Sequence, residues 1–232
     1  MVDYHSHILP GMDDGSKSIE ESLALLSESV RQGIRVQCLT SHYYADRESP
    51  KRFLERRSRA YAELKQAMKD LDIQTMLGAE VQYFEGICNI DEIEALKLEG
   101  TEILLIEMPF SKWTARMARD IWELNSRPGI QVMLAHIERY MKWNDLSVFE
   151  QMHKNGIILQ SNASFFNSWR TRRKALKLFD RGYIDIVASD CHNTTSRPQE
   201  LGEALKTIAS RLGRDKVDRM ASLCYSLLEE GI

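Results

Sequence analysis

Histidines and carboxylates recur along this chain where apolar segments end. Five of the six histidines and three carboxylates have this placement: His5, His7, His42, His136, His192, Glu80, Glu107 and Asp190. Asp13 and Asp14 follow shortly after the first apolar segment. Imidazole and carboxylate together suit Zn, Mn, Fe or Ni, whereas a structural zinc site is typically built from several cysteines. These residue types therefore predict a catalytic metal centre, provided that the fold brings them together.

The apolar segments alternate with helical patterns, which predicts parallel strands connected by helices. Predicted strands cover residues 2–7, 35–42, 74–83, 102–107, 131–136, 156–162 and 183–190. Predicted helices cover residues 18–32, 51–71, 90–98, 114–126, 146–155, 168–181, 197–212 and 216–229. A glycine stands between a predicted helix and the next predicted strand at three places, Gly33, Gly156 and Gly182. Glycine is the residue that most often ends helices. Seven units favour a closed or nearly closed barrel over an open doubly wound sheet, with residues 1–232 as a single domain.

A barrel places the carboxyl ends of its strands at one rim, where the ligand-type residues would meet. Alternate residues of a strand face the same side, so His5 and His7 would both point into that rim, as would Asp190 and His192. Taken singly, a His-x-His pair or one strand-end glutamate is usually structural. Convergence from six strand ends changes this interpretation, because so many buried charges need a cation. The set is large enough for two or three ions about 3.5–4 Å apart. His153, inside a helical pattern, is expected at the surface.

Bulk composition narrows the class of protein. The chain has 232 residues, 43% of them hydrophobic and 28% charged, with a net charge of −3. A negative chain without a basic stripe is not expected to bind nucleic acid. We find no apolar run of about 18 residues, so membrane insertion is not expected either. The four cysteines show no paired spacing, which is typical of free thiols and predicts a cytoplasmic protein.

Seven short motifs, in order, resemble those of one superfamily. They are His5-Ser6-His7, Asp13-Asp14-Gly15, Ser41-His42, Gly78-Ala79-Glu80, Ile106-Glu107, Ala135-His136-Ile137-Glu138-Arg139-Tyr140 and Ser189-Asp190-Cys191-His192-Asn193. This set resembles the PHP (polymerase and histidinol phosphatase) superfamily. More narrowly, it is similar to the bacterial manganese-dependent tyrosine phosphatases of capsule and exopolysaccharide loci, the CpsB/YwqE type. The resemblance runs from Asp3 to about Pro198.

The resemblance implies a distorted seven-stranded (β/α)7 barrel and a site of two or three divalent metal ions, with manganese favoured over iron or zinc. The implied ligands are His5, His7, Asp14, His42, Glu80, Glu107, His136, Asp190 and His192. Asp13 is the alternative to Asp14, one residue away. Arg139 and Arg197 match the positions that hold the phosphate, and guanidinium groups bind phosphate oxygens in pairs. Hydroxide generated at the metals is expected to attack phosphorus, and no general acid is assigned.

The implied substrate is a phosphotyrosine protein, most specifically the C-terminal tail of a bacterial tyrosine kinase that regulates polysaccharide synthesis. Tyr43 and Tyr44 follow His42, where relatives often carry a second histidine or basic residues. The resemblance therefore does not predict which residues contact the substrate at the edge of the site. The nearest alternative is a small-molecule phosphatase such as histidinol-phosphate phosphatase. A third alternative is a PHP-like barrel that binds a polymerase or a regulator and has no catalytic activity. Such a protein would be expected to have lost some of the metal ligands, and none of the nine is missing here.

The last motif is also compatible with a different phosphatase chemistry. Cys191 and Arg197 have the Cys-x5-Arg spacing of phosphatases that use a thiolate nucleophile. Such a loop cradles phosphate with backbone N–H groups and usually needs glycine, which this segment lacks. We therefore expect Cys191 to be a packed thiol.

Overall fold

The computed structural model describes residues 1–229, in which all strand pairs are parallel. Nine strands occur in this part of the chain: β1 (Val2–Asp3), β2 (Val36–Leu39), β3 (His42–Tyr43), β4 (Gln74–Leu77), β5 (Glu80–Gln82), β6 (Ile103–Glu107), β7 (Gln131–Leu134), β8 (Ile158–Asn162) and β9 (Ile186–Ala188). One sheet has the order β1-β2-β4, and the other has the order β3-β5-β6-β7-β8-β9. The predicted parallel α/β architecture is confirmed, but the described strands form two sheets instead of one closed barrel of seven.

Two of the predicted strands are each divided into two, which accounts for the higher count. Residues 35–42 form β2 and β3, and residues 74–83 form β4 and β5. At the break, the N–H of Glu80 lies 3.1 Å from the carbonyl oxygens of both Thr40 and Ser41. Leu39 pairs with Leu77 before the break, and His42 pairs with Glu80 after it. Each segment therefore has two residues between these pairs, so the ladder is interrupted without an inserted residue. The second halves of both strands join the larger sheet, next to the carboxyl end where the site lies.

The segment after β1 lies between the two sheets. Ser6 forms an isolated parallel bridge with Cys191 beyond β9. The N–H of His7 donates to the carbonyl of Cys191 at 2.8 Å, and the N–H of Thr40 donates to the carbonyl of Ser6 at 2.9 Å. These bonds hold the chain near His5 and His7 against the ends of β2 and β9.

Eight α-helices occur within residues 1–229: α1 (Ile19–Arg31), α2 (Pro50–Ala67), α3 (Ala115–Asn125), α4 (Leu146–Lys154), α5 (Ala163–Asn167), α6 (Arg172–Asp180), α7 (Leu201–Leu212) and α8 (Arg214–Glu229). The predicted helix 90–98 is wrong in type, since Asp91–Leu96 is a 3₁₀ helix. Its buried residues Ile93 and Leu96 are three apart, the spacing that aligns side chains in a 3₁₀ helix. The predicted helix 168–181 starts late, at Arg172, after the separate helix α5.

Three helices end at glycines, as predicted. Gly33, Gly156 and Gly182 have φ angles of +83°, +78° and +74°, which glycine adopts without steric cost. One cluster of buried apolar side chains extends from Val2 to Leu227. Among the described residues, no helix has the length and apolar character needed to cross a membrane. The last three positions of the predicted domain, 230–232, lie outside the described residues.

Candidate metal centre

The strand ends bring the predicted ligand-type side chains to one place. Seven of the nine are buried, namely His5, His7, Glu80, Glu107, His136, Asp190 and His192, whereas His42 is partly buried and Asp14 is exposed. The sixth histidine, His153, lies elsewhere, half exposed and paired with Asp185 at 2.9 Å. Its predicted surface position is confirmed. Since the carboxyl ends of parallel strands share one rim, residues distant in sequence become neighbours here.

Glu80 lies at the centre of the cluster. Its Oε2 is 3.2 Å from Nε2 of both His5 and His7 and 3.0 Å from Nδ1 of His42. Its Oε1 is 2.9 Å from Nε2 of His136. One carboxylate therefore faces four imidazoles, a position from which it could bridge two cations.

Further carboxylates flank Glu80 on either side. Asp190 Oδ1 lies 3.4 Å from Nε2 of both His5 and His7. Glu107 Oε1 lies 3.4 Å from Nε2 of His136. Each carboxylate thus shares a histidine with Glu80, so the ligand atoms form one continuous group.

The loop after β1 adds the remaining carboxylate. Asp14 Oδ1 lies 3.4 Å from Nε2 of His192 and 3.6 Å from Nε2 of His42. Its side chain is 64% exposed, so it covers the cluster from the solvent side. Asp14 therefore has the position expected of a ligand at the mouth of the site.

Several buried atoms in the cluster have no hydrogen-bond partner among the described residues. They include His42 Nδ1, Glu80 Oε2, Asp190 Oδ1 and His192 Nε2, all of which point into the cluster. Buried polar atoms are normally satisfied, and a cation would satisfy these together. Within the cluster there are three groups in each of which the ligand atoms lie within 4.8 Å of one another: His7 with Asp14, His42 and His192; His5 with His7 and Asp190; and His42 with Glu80 and Glu107. The donor set fits two or three divalent ions.

Asp13 is used differently from Asp14. Its Oδ2 accepts hydrogen bonds from Nδ1 of His7 and from the N–H of His42, both at 2.8 Å. Its Oδ1 accepts from the N–H of Gly15 at 2.9 Å. Burial raises the pKa of the Asp13 carboxyl, but His7 and the backbone donors lower it by more, so it lies below the ordinary range. Asp13 therefore fixes the ring of His7 with Nε2 directed into the cluster.

Gly15 allows this loop to lie against the first strand segment. A Cβ atom at position 15 would meet the carbonyl oxygen of His7 at 2.1 Å and its Cβ at 2.5 Å. The N–H of Ser16 donates to that same carbonyl at 2.9 Å. Only glycine fits this approach, which carries Asp13 and Asp14 over the histidines.

Two residues that the sequence analysis did not single out support the cluster from β8. Gln160 Oε1 accepts from the N–H of His136 at 2.8 Å and lies 3.2 Å from Nδ1 of His5. Gln160 Nε2 donates to Asn162 Oδ1 at 3.0 Å, and Asn162 Nδ2 donates to Asp190 Oδ2 at 2.6 Å. The signal in the sequence was a pair of amides at alternate positions near the end of a strand that begins with apolar residues.

His136 and Asp190 also differ from the rest of the chain in backbone conformation. Their φ angles are +33° and +54°, and they are the only non-glycine residues with positive φ within residues 1–229. Such conformations cost about 1–3 kcal/mol each and concentrate at functional sites. Burial lowers the pKa of His136, but hydrogen bonds to Glu107 and Glu80 raise it by more, to about 9. The carboxylates therefore favour a positive charge at this position.

The two arginines line a cleft of about 470 Å³ beside the cluster, together with Asn162 and Asp190. Arg197 donates to Asp190 Oδ2 at 2.7 Å and lies 3.7 Å from Asp14. Arg139 forms no ion pair with the described carboxylates, and its guanidinium lies 4.4 Å from the centre of the Phe110 ring. One arginine is thus tied to the ligand cluster, whereas the other keeps its N–H donors available.

The thiolate alternative does not fit the position of Cys191. Its side chain is fully buried, and burial followed by the nearby Asp3 carboxylate raises its pKa well above the usual range. A thiol nucleophile needs the opposite, a lowered pKa and access to substrate. The expectation of a packed thiol agrees with this environment.

Comparisons with known proteins identify the family of this chain. The sequence model for "Capsular polysaccharide synthesis, CpsB/CapC" matches residues 1–224. The tyrosine-protein phosphatase CpsB of Streptococcus pneumoniae is 33% identical over 235 residues, covering 95% of this chain and 94% of that protein. The tyrosine-protein phosphatase YwqE of Bacillus subtilis (strain 168) is 27% identical, covering 93% and 86%.

Solved structures agree on the fold. A structure described as that of YwqE from Bacillus subtilis and CpsB from Streptococcus pneumoniae, metal-dependent tyrosine phosphatases, superposes with a TM-score of 0.88 at 24% identity. It covers 99% of this chain and 95% of that chain. A putative histidinol phosphatase from Listeria monocytogenes has a TM-score of 0.52 at 12% identity, covering 82% of this chain and 94% of that one. This chain therefore belongs to the CpsB/CapC family of capsular polysaccharide synthesis.

Proposed function

We propose that this protein is a metal-dependent protein-tyrosine phosphatase. The observation that carries the proposal is the cluster of nine ligand-type side chains with unpartnered atoms facing one another, next to a cleft lined by two arginines. Membership of a family whose relatives are named tyrosine-protein phosphatases supports the same activity. We also propose that the two sheets form one distorted barrel in a single domain, which is supported by the Ser6–Cys191 bridge and by the continuous core.

The proposed ligands are the nine residues predicted from the sequence, with Asp14 rather than Asp13 as the loop carboxylate. Imidazole and carboxylate ligands suit manganese, with iron or zinc as alternatives. When bound, two or three divalent ions would generate a nucleophile from water at neutral pH and neutralise charge on the phosphoryl group. Asp13 would keep His7 in the tautomer that can bind a cation.

Arg139 and Arg197 are proposed to hold the phosphoryl oxygens. Both line the cleft, and guanidinium groups bind phosphate through paired N–H donors. Arg197, tied to Asp190, would hold an oxygen next to the ligand cluster, and Arg139, which also lines the cleft, would hold another. A phenolate leaving group has a pKa of about 10, so it departs with less protonation than an alkoxide, and we assign no general acid.

The proposed substrate is a phosphotyrosine protein, with the tail of a bacterial tyrosine kinase as its most specific form, in the cytoplasm. The relatives' printed names support phosphotyrosine. Histidinol phosphate is the alternative, but the histidinol phosphatase among the solved structures shares the fold at low identity, and that likeness does not carry over its substrate.

Phosphate release from a phosphotyrosine peptide and from histidinol phosphate tests the proposal, first with Mn²⁺ and then with EDTA. We expect the peptide to be preferred, EDTA to abolish release, and added Mn²⁺ to restore it. His136→Ala should lose activity and bound metal, whereas the matched control His153→Ala should keep both. Turnover that resists EDTA would contradict the metal mechanism, and preference for histidinol phosphate would contradict the substrate.

A further inference from the structure

A strongly basic segment borders the cleft. Residues 168–177 contain five basic residues and no acidic residue, in a chain whose net charge is −3. The segment starts in the loop after α5 and continues into α6. It also carries Trp169, whose side chain is 80% exposed and lies 5.2 Å from the guanidinium of Arg170.

The charges in this segment oppose what the stability of α6 requires. The amino end of a helix carries a partial positive charge and favours acidic residues. The first turn of α6 has none and contains Arg172, Arg173 and Lys174 instead, while the N-cap residue Thr171 makes no capping hydrogen bond through its side chain. Arg172 donates to the carbonyls of Phe166 and Asn167 at the end of α5, but the charges of Arg173 and Lys174 are not explained by folding of the helix.

The exposed cations form a stripe. Arg170, Arg173, Lys174 and Lys177 are all exposed. Within α6, the spacing of three and four residues places Arg173, Lys174 and Lys177 along one side of the helix, and Arg170 lies in the turn just before it. None of these four cations forms an ion pair with a carboxylate among residues 1–229. Like charges at this spacing repel, so the stripe remains available to an anionic partner.

The stripe is continuous with the cleft. Ser168 and Thr171 line the cleft along with Arg139 and Arg197. Trp169 and Arg170 lie between those two lining residues in the chain, and Lys174 is one helical turn beyond Thr171. A peptide whose phosphate occupied the cleft would therefore extend over the stripe.

We propose that the exposed basic surface formed by Trp169, Arg170, Arg173, Lys174 and Lys177 binds acidic residues that flank the phosphotyrosine of the substrate. The proposal rests on the proposed function and adds a preference for acidic sequence around the target tyrosine. The cations supply charge complementarity, and the Trp169 ring offers an apolar face to the peptide. The surface is continuous with the cleft, which favours a peptide over an anionic lipid, because a lipid-binding surface would not need to adjoin the cleft.

The test compares two phosphotyrosine peptides of equal length, one flanked by glutamate and one by glutamine, with para-nitrophenyl phosphate as a substrate too small to reach the surface. For the wild type with Mn²⁺, we expect kcat/KM to be about tenfold higher for the glutamate peptide, on the scale of a few exposed ion pairs. The preference should decrease as salt is added. The triple variant Arg170→Glu, Arg173→Glu, Lys174→Glu should lose it and still hydrolyse para-nitrophenyl phosphate at the wild-type rate.

A matched control reverses three exposed cations elsewhere. Lys206 lies in the middle of α7, Arg211 lies near its end, about 15 Å along the helix from Leu201, and Arg214 begins α8. Their reversal to glutamate changes the net charge equally and should leave the peptide preference intact. Reversal in α6 should not lower the melting temperature, because glutamate suits the amino end of a helix.

The other outcomes separate the two proposals. Equal kcat/KM for both peptides in the wild type overturns the docking surface and leaves the phosphatase function standing, and loss of the preference in the α7 control does the same. Absence of phosphotyrosine hydrolysis with Mn²⁺ overturns both. If wild-type protein shows no peptide preference but sediments with phosphatidylglycerol vesicles, and the α6 variant does not, the surface belongs to lipid.

Discussion

Replacement of Asp13 tests how the cluster is held together. Its carboxylate bonds to Nδ1 of His7 and to the N–H groups of His42 and Gly15, yet it is not a proposed ligand. Asp13→Ala removes both acceptor oxygens and with them all three hydrogen bonds. Asp13→Asn keeps one oxygen, and the amide can place that oxygen towards His7 and His42 while losing only the bond to Gly15.

The size of the effect follows from these contacts. Loss of a partner that orients a metal-binding histidine typically lowers metal affinity 10- to 100-fold, which is about 1.4–2.8 kcal/mol. We expect Asp13→Ala near the upper value, because His7 then loses its only partner at Nδ1 among the described side chains. Asp13→Asn should lie near the lower value. Unfolding free energy of the metal-free protein should fall by about 1.5–3 kcal/mol in Asp13→Ala, since bonds to a charged group are lost.

Titration of metal-free protein with Mn²⁺ in a calorimeter, together with elemental analysis, measures both affinity and stoichiometry. An orienting residue changes affinity, whereas a ligand at the mouth of the site changes how many ions remain bound. Asp14→Ala is the matched variant, because we expect it to lose an ion held with His42 and His192. Wild-type Mn²⁺ affinity in Asp13→Ala would refute the orienting role. Loss of an ion in Asp13→Ala but not in Asp14→Ala would exchange the two assignments.

Three further predictions concern other parts of the site. Cys191→Ser should keep kcat and bound metal while losing about 1–3 kcal/mol of stability for the buried hydroxyl; loss of activity with metal retained would support a thiolate nucleophile. Phe110→Ala should raise KM for a phosphotyrosine peptide about two- to fivefold by removing the ring beneath Arg139, and Phe110→Tyr should restore it; an unchanged KM would contradict this positioning role. In metal-free protein, the raised pKa of His136, about 9, means that its stabilisation is complete below the ordinary histidine pKa of about 6.5 and is lost as the pH rises through 9. The melting temperature in EDTA should therefore fall over that window, and Mn²⁺ binding at pH 7.5 should release protons, as seen by calorimetry in buffers of different ionisation enthalpy; no proton release would contradict a protonated His136.

The predicted ligand-type residues lie close together because of topology. Alternating strands and helices require parallel strands, and parallel strands place their carboxyl ends at one edge. His5, Glu107 and Asp190 could thus be brought together from the sequence without knowing any distance. The division into two sheets was harder to predict, because the break at Thr40–Ser41 lies where the N–H of Glu80 is shared between two carbonyls of the neighbouring segment. The sequence of residues 35–42 has no local feature that predicts this contact.

By itself, the sequence determined which residue types lie at the strand ends, and hence the kind of chemistry they support. Only the tertiary structure decided which of Asp13 and Asp14 faces the cluster, because the loop path depends on the approach of Gly15 to the backbone of His7. It also decided the roles of Gln160 and Asn162, whose partners lie on other strands. Residue types and the spacing of apolar residues are properties of the sequence. The partner of a hydrogen-bonding side chain depends instead on which residues the fold places next to it.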